Sequence, residues 1–300
     1  MYEAYYGLSE KPFNLTPDTE FYYQSMTHQQ ALNVLLVAIE SGDGFIKLTG
    51  EVGTGKTMLC RKLLDLLDDR YQTIYIPNPY MSCDALLKAV VEEMGLLDSL
   101  RDDNYLSCIN RQLIENAKQK RPTLILLDEA QSLPVESLEA IRLLSNLETE
   151  KQKLVQILLF GQPELDQKLR ENSIRQLQQR IVHAYELQSL SANTLAHYIE
   201  HRLKSAGYVG PQLFSDKAIK RLFKKSRGIP RLINLLCNKA LMLAYSSGDF
   251  LVSKRHVDLA SRDSRQVGGS RFGLTQRLAS YLAPVLVLGA LMTEMSRGWS

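Results

Sequence analysis

Gly50-Glu-Val-Gly-Thr-Gly-Lys-Thr57 follows the apolar run Phe45–Thr49 (FIKLT) and opens the amphipathic stretch Lys56–Leu67. The order strand, glycine-rich turn, helix decides the fold, because each part supplies something a phosphate chain needs. Glycines let successive backbone N–H groups close around the anion, and the following helix adds the partial positive charge of its N-terminus. Lys56 stands where an ammonium reaches the outer phosphates of a nucleoside triphosphate, and Thr57 where a hydroxyl ligates magnesium. Gly50, Glu51, Val52, Gly53, Thr54, Gly55, Lys56, Thr57 and Met58 are therefore the expected binding set for ATP and Mg2+.

A second stretch, Thr123–Gln131 (TLILLDEAQ), ends an uninterrupted apolar run on two carboxylates. Asp128 is placed to hold the metal through water, and Glu129, one residue on, to take a proton from an attacking water. Hydrolysis fits this pair better than transfer to a second substrate, since no acceptor site is legible in the chain.

Working outward, FIKLT, Thr73–Pro77 (TIYIP), TLILL, Val155–Phe160 (VQILLF) and His183–Leu187 (HAYEL) read as strands. Helical patterns lie between them at Gln29–Glu40, Lys56–Leu67, Asp84–Met94, Tyr105–Lys118 and Val135–Glu148, the last with Pro134 in its first turn. Alternation of this kind predicts an α/β P-loop fold with a parallel five-stranded sheet covered by helices. Beyond Leu190 the strand signal stops. Ser191–Ala206, Ser215–Lys225, Pro230–Tyr245 and Ser253–Asp263 predict an all-helical lid. The expected division is residues 1–190 for the nucleotide-binding domain, 191–265 for the lid, 266–277 for a linker and 278–300 for an apolar C-terminal segment.

The charge is unevenly divided. Residues 1–167 carry 15 Lys and Arg against 25 Asp and Glu, a net of −10, and residues 168–277 carry 20 against 7, a net of +13. A basic half suits nucleic acid or anionic lipid, and complementary halves equally suit head-to-tail assembly of copies. The four cysteines lie far apart with no metal-ligand spacing, which predicts reduced, mostly buried thiols. The N-terminus lacks the basic and apolar regions of a signal peptide, so the bulk of the chain is expected in the cytoplasm. Leu278–Met292 (LASYLAPVLVLGALM) has two readings: a packed helix, or an inner-membrane anchor shortened by Pro284.

Residues 5–263 contain, in order, YYGLSEKPFNLTPDTEFYYQSMTHQQAL, GEVGTGKT, LLDEAQ, LFGQPEL, RQLQQRI and RGIPR. This series resembles the AAA+ ATPases of the ExeA/GspA secretion type, including their relatives of mannose-sensitive haemagglutinin (MSHA) pilus biogenesis. The resemblance implies a sensor role for Gln162 and an arginine finger at Arg180, with Arg175 its rival. It also implies a lid arginine, Arg231, that reaches back to the phosphates. The segment around Phe13 and Tyr22 is expected to border the adenine, and His28 to cap or pack. In that family a membrane helix and a peptidoglycan-binding domain follow; no such domain is expected within these 300 residues.

Three functions remain open. The first is a homo-oligomeric switch or motor ATPase that acts with inner-membrane proteins of a pilus or secretion complex. The second is a DNA-acting regulatory ATPase of the transposition-regulator type, and the third a slowly hydrolysing scaffold. The opening block and the apolar segment favour the first, so nucleic acid is not the favoured partner.

Overall fold

The computed structural model describes residues 2–16, 18–97, 104–148 and 153–268. Five parallel strands, β1 (Phe45–Gly50), β2 (Gln72–Ile76), β3 (Thr123–Leu127), β4 (Val155–Gly161) and β5 (Ile181–Leu187), form one sheet in the order β2-β3-β4-β1-β5. β3 and β4 are buried at every position, as their continuous apolar runs require of central strands covered on both faces. β5 alternates half-buried and exposed residues, the pattern of a sheet edge.

The pleat sends alternate strand residues into different cores. Ile46, Leu48, Leu124, Leu126, Leu158 and Phe160 pack with α2 (Met26–Glu40) and α3 (Lys56–Leu66). Phe45, Ile74, Ile125, Leu127, Ile157 and Leu159 face α4 (Cys83–Glu93), α5 (Tyr105–Lys118) and α6 (Val135–Leu144). Helix starts are set by side-chain caps: the Oγ atoms of Ser25 and Ser82 and Oδ1 of Asn104 accept from the backbone N–H groups of His28, Ala85 and Ser107. Pro134 precedes α6 as its N-cap. That helix stops at Leu144, four residues before the expected end at Glu148; Ser145 turns its hydroxyl back onto the Arg142 carbonyl at 2.7 Å. Short helices α7 (Glu164–Leu169) and α8 (Arg175–Gln178) then lead into β5.

The lid consists of α9 (Ala192–Ser205), α10 (Asp216–Ser226), α11 (Pro230–Ser246) and α12 (Lys254–Gly268). α12 runs past the expected end at Asp263 into the stretch read as linker, because neither proline nor glycine interrupts residues 264–267. The lid's core holds more than its own helices. Tyr2 and Tyr6 of α1 (Tyr2–Tyr6), with Leu8, Phe13 and Phe21, are buried among Leu203, Phe214, Leu236 and Leu241. Tyr2 Oη donates to Asn238 Oδ1 at 2.7 Å, and Tyr6 Oη to the Asp249 carbonyl at 3.2 Å. The chain's opening therefore packs with the lid, whereas its place in the sequence had grouped it with the α/β domain.

Among the described residues the four cysteines are free thiols, Cys60 and Cys237 buried. Burial pushes both thiols well above the usual cysteine pKa. No helix of the described residues is long and apolar enough to cross a membrane. Residues 278–292, on which the anchor reading rests, lie outside the described residues.

Candidate nucleotide site

The turn after β1 has the backbone that its glycines permit. Gly53 lies at φ +82° and Gly55 at φ +105°, conformations that L side chains rarely adopt. Side chains are excluded there by space as well: a Cβ on Gly53 would fall 2.5 Å from Arg231 Cβ, and one on Gly55 2.8 Å from His28 Nε2. α3 starts directly afterwards, with Lys56 as its first residue.

Lys56 is only 5% exposed, and its Nζ donates to the carbonyls of Gly50 (2.7 Å) and Glu51 (3.0 Å). Burial lowers its pKa, opposed by the nearby charges of Glu129, Asp128, Glu51 and Glu164. A buried ammonium held by carbonyls alone is suited to a phosphate anion, which would supply the missing countercharge. Beside it, Thr57 Oγ1 donates to Asp128 Oδ2 at 2.6 Å. Asp128 is 2% exposed, and burial raises its carboxyl pKa. A hydroxyl and a poorly compensated carboxylate converging at one point fit a hard divalent cation. No cluster of three or more His, Cys, Asp or Glu suited to a metal exists among the described residues.

Glu129 adopts a left-handed conformation, φ 53° and ψ 38°, as the chain leaves β3. A non-glycine residue held there costs on the order of 1–3 kcal/mol, and such strain collects at functional sites. Its Oε2 accepts from Gln162 Nε2 at 2.9 Å and also from Gln131 Nε2. The sensor residue expected at Gln162 is thus in direct contact with the expected proton acceptor.

A cleft of about 220 Å3 runs from this loop to the lid, lined by Val52 through Met58, Glu129 and Arg231 at one end. Arg231, in the first turn of α11, also binds the loop through its backbone, its N–H reaching the Gly53 carbonyl at 3.2 Å. At the other end stand Asn14, Tyr22, Tyr198, Arg202 and Asn234. Tyr198 Oη donates to Asn234 Oδ1 at 2.8 Å. Arg202 donates to the carbonyls of Pro12 (2.6 Å) and Asn14 (3.3 Å), with its guanidinium 4.6 Å from the Phe21 ring centroid. Burial lowers the Arg202 pKa. Tyr22, whose burial raises its pKa to about 12, lines this end and has a buried hydroxyl without a hydrogen-bond partner.

Gly50 and Glu51 contribute carbonyls to Lys56 rather than cleft lining. Arg180 and Arg175 are not among the residues that line the cleft. Arg180 instead donates to Ser145 Oγ at 2.9 Å, and Arg175 is exposed. His28 has a larger part than capping. Its Nε2 meets the Thr54 carbonyl at 3.1 Å, which makes Nε2 the protonated nitrogen and leaves Nδ1 to accept from Ser25 Oγ at 2.6 Å. Burial lowers its pKa, so the ring braces the phosphate loop in the neutral form.

A family model described as AAA domain matches residues 39–169. This chain carries an AAA domain. AAA domains are ATPase domains, and this chain has the class's nucleotide loop, paired carboxylates and parallel sheet. Over 287 residues it is 41% identical to General secretion pathway protein A of Aeromonas hydrophila, which covers 94% of this chain and 52% of that protein. The resemblance to the secretion type thus holds, and the chain spans about half the length of that relative.

Solved structures share the fold at low identity. Cdc6p of Pyrobaculum aerophilum superposes with a TM-score of 0.65 at 16% identity, over 84% of this chain and 70% of that one. A Drosophila ORC chain from a DNA-bound structure gives 0.62 at 16% identity, over 83% and 63%. A Thermotoga maritima RuvB mutant gives 0.53 at 18% identity, over 84% and 73%.

Proposed function

We propose that this chain binds Mg2+·ATP in the cleft and hydrolyses it as one subunit of a homo-oligomer. That oligomer would serve a secretion complex or MSHA-type pilus at the inner membrane. The observation that carries the catalytic part is the contact of Gln162 with the Glu129 carboxylate near a buried Lys56 whose ammonium is held by backbone carbonyls. Glu129 accepts a proton from water as the water oxygen bonds to the γ-phosphorus. The bond from that phosphorus to the β–γ bridging oxygen breaks, and ADP and inorganic phosphate leave. Lys56 neutralises charge on the β- and γ-phosphates, and Arg231 closes over them from the lid. Thr57 and Asp128 would hold Mg2+, whose charge screens the phosphates when bound. The secretion part rests on the identity to General secretion pathway protein A.

Arg180 lies outside its own chain's cleft, which suits a finger directed at a neighbouring subunit's nucleotide. Mixing inactive Glu129→Gln and Arg180→Ala proteins tests this. Once labelled protein demonstrates subunit exchange, the mixture is expected to regain part of the parent turnover. The reason is that each variant supplies what the other lacks, and a finger is worth on the order of a thousandfold or more. A mixture that stays inactive would assign the finger to Arg175 or place Arg180 within its own site.

One observation favours a DNA-acting reading. Lys217, Lys220 and Lys224 are all exposed and recur at helical spacing along α10, and exposed Arg227 caps its C-terminus. ATPase rate and oligomeric state, measured on the purified chain with and without duplex DNA, separate the two readings. Little stimulation at physiological salt supports the secretion reading. Several-fold stimulation that fades with added salt supports DNA.

A further inference from the structure

Gln131 occupies a place that neither the nucleotide loop nor the carboxylate pair explains. It sits in the 3-10 turn Ala130–Ser132 just past Glu129, and its side chain lies between two functional groups. Its Oε1 accepts from the backbone N–H of Gln162 at 2.9 Å, and its Nε2 donates to Glu129 Oε2. The orientation of the amide is fixed by chemistry. A backbone N–H only donates, so the oxygen must face Gln162; a carboxylate only accepts, so the nitrogen must face Glu129. Gln162 closes the triangle through its own Nε2, 2.9 Å from the same Glu129 oxygen.

The surroundings hold this triangle in place. Gly161 leaves room for the amide: a Cβ there would fall 3.3 Å from Gln131 Oε1 and 2.7 Å from Leu165 Cδ2. Lys168, on α7 directly after the Gln162 turn, donates from Nζ to the carbonyls of Gln131 (2.9 Å) and Leu133 (2.5 Å). The turn that carries Gln131 is therefore tied to the end of β4 by its side chain and to α7 by its backbone. Both amides thus converge on the same oxygen, Oε2 of Glu129.

We propose that Gln131 is a positioning residue, joining the sensor end of β4 to the Glu129 carboxylate so that the two move as one unit. The inference rests on ATP hydrolysis through Glu129 and adds how that carboxylate is aimed. Gln131 is not among the residues that line the cleft. Its loss is expected to misdirect the proton acceptor while leaving the nucleotide loop intact, and misplacement on the order of 1 Å costs about a hundredfold in rate.

The test measures Mg2+·ATP affinity, kcat, KM and Tm on the full chain for the parent, Gln131→Ala, Gln131→Glu, Gln162→Ala and the Gln131→Ala/Gln162→Ala double variant. Gln131→Ala is expected to lower kcat on the order of tenfold to a hundredfold, with KM and ATP affinity within about threefold of the parent. Gln131→Glu keeps an acceptor for the Gln162 N–H and removes the donor to Glu129, so it is expected to be at least as slow. The double variant is expected to lose little beyond the worse single, because both amides act on one carboxylate oxygen.

Several results would overturn the proposal: parent turnover in either Gln131 variant, losses that multiply in the double variant, or a fall in Tm and ATP affinity with kcat at saturation unchanged. A parent that does not hydrolyse ATP would refute the hydrolytic reading and this inference with it. Normal parent turnover abolished by Glu129→Gln but untouched by Gln131→Ala would refute this inference alone.

Discussion

The two ends of the cleft are built in opposite ways. The phosphate end is nearly contiguous: Val52 to Met58 line it with Glu129, Gly50 and Glu51 hold Lys56 by their carbonyls, and Asp128 joins through the Thr57 hydroxyl. The far end is assembled from residues distant in the chain, with Arg202 of α9 bound to the carbonyls of Pro12 and Asn14, and Tyr198 bound to Asn234. On the proposed reading the first end carries the charge that meets phosphate and metal. The second is a wall that holds the N-terminal segment against the lid. Chemistry is thus concentrated at one end, and at the other the shape of the cleft depends on lid packing. Changes at the phosphate end are expected to act on turnover, and changes at the far end on affinity and stability.

Lys56→Ala gives the largest expected effect. Among the described residues it removes the only ammonium that lines the phosphate end, so ATP binding is expected to weaken and turnover to fall on the order of a hundredfold or more. Stopped turnover and weakened binding, measured together, support the assignment; parent-like turnover would move the phosphate site elsewhere.

Arg202→Ala probes the far end. It leaves the Pro12 and Asn14 carbonyls without their charged donor and uncovers the Phe21 ring, at a cost on the order of 1.5–3 kcal/mol in chemical denaturation. ATP affinity is expected to weaken while kcat at saturation stays near the parent value. A selective loss of kcat would erase the contrast between the two ends.

His28→Ala is milder. It orphans the Thr54 carbonyl behind the loop, costing about 1–3 kcal/mol of stability with a smaller loss of ATP affinity than Lys56→Ala.

Asp128→Asn sharpens the contrast without ligand. Burial raises the Asp128 pKa, so the folded protein holds that proton more tightly than the unfolded chain does. Stability without nucleotide is therefore expected to fall as pH rises from the ordinary carboxylate range through the raised value. The amide, which cannot ionise, is expected to flatten that slope and raise Tm slightly at neutral pH while slowing Mg2+-dependent hydrolysis. An unchanged Tm–pH slope would show that the Asp128 charge is compensated in the fold.

Legibility followed the same division. The phosphate loop, the carboxylate pair and the buried strands were readable because each is a local pattern with a local reason. The far wall was not, because contacts such as Tyr2 with Asn238 and Arg202 with Pro12 join residues that no periodicity relates. Gln162 was reached through resemblance to a family rather than through its own surroundings. Gln131 was in plain view in LLDEAQ, yet a glutamine after two acids has no distinguishing chemistry until its neighbours are placed. The brace from His28 to the loop was missed for a similar reason: a histidine early in a helix reads first as a cap or a packing residue.

The central claim is that one cleft both holds ATP and cleaves it with Glu129 as the proton acceptor. Mg2+·ATP affinity and single-turnover hydrolysis, measured side by side on the parent and Glu129→Gln, test it most directly. The amide keeps the carboxylate's shape and leaves Lys56, Thr57 and Asp128 in place, but it cannot take the proton from water. The account predicts affinity within about threefold of the parent and hydrolysis slowed on the order of a hundredfold or more. Hydrolysis at the parent rate, or binding lost together with hydrolysis, would contradict it.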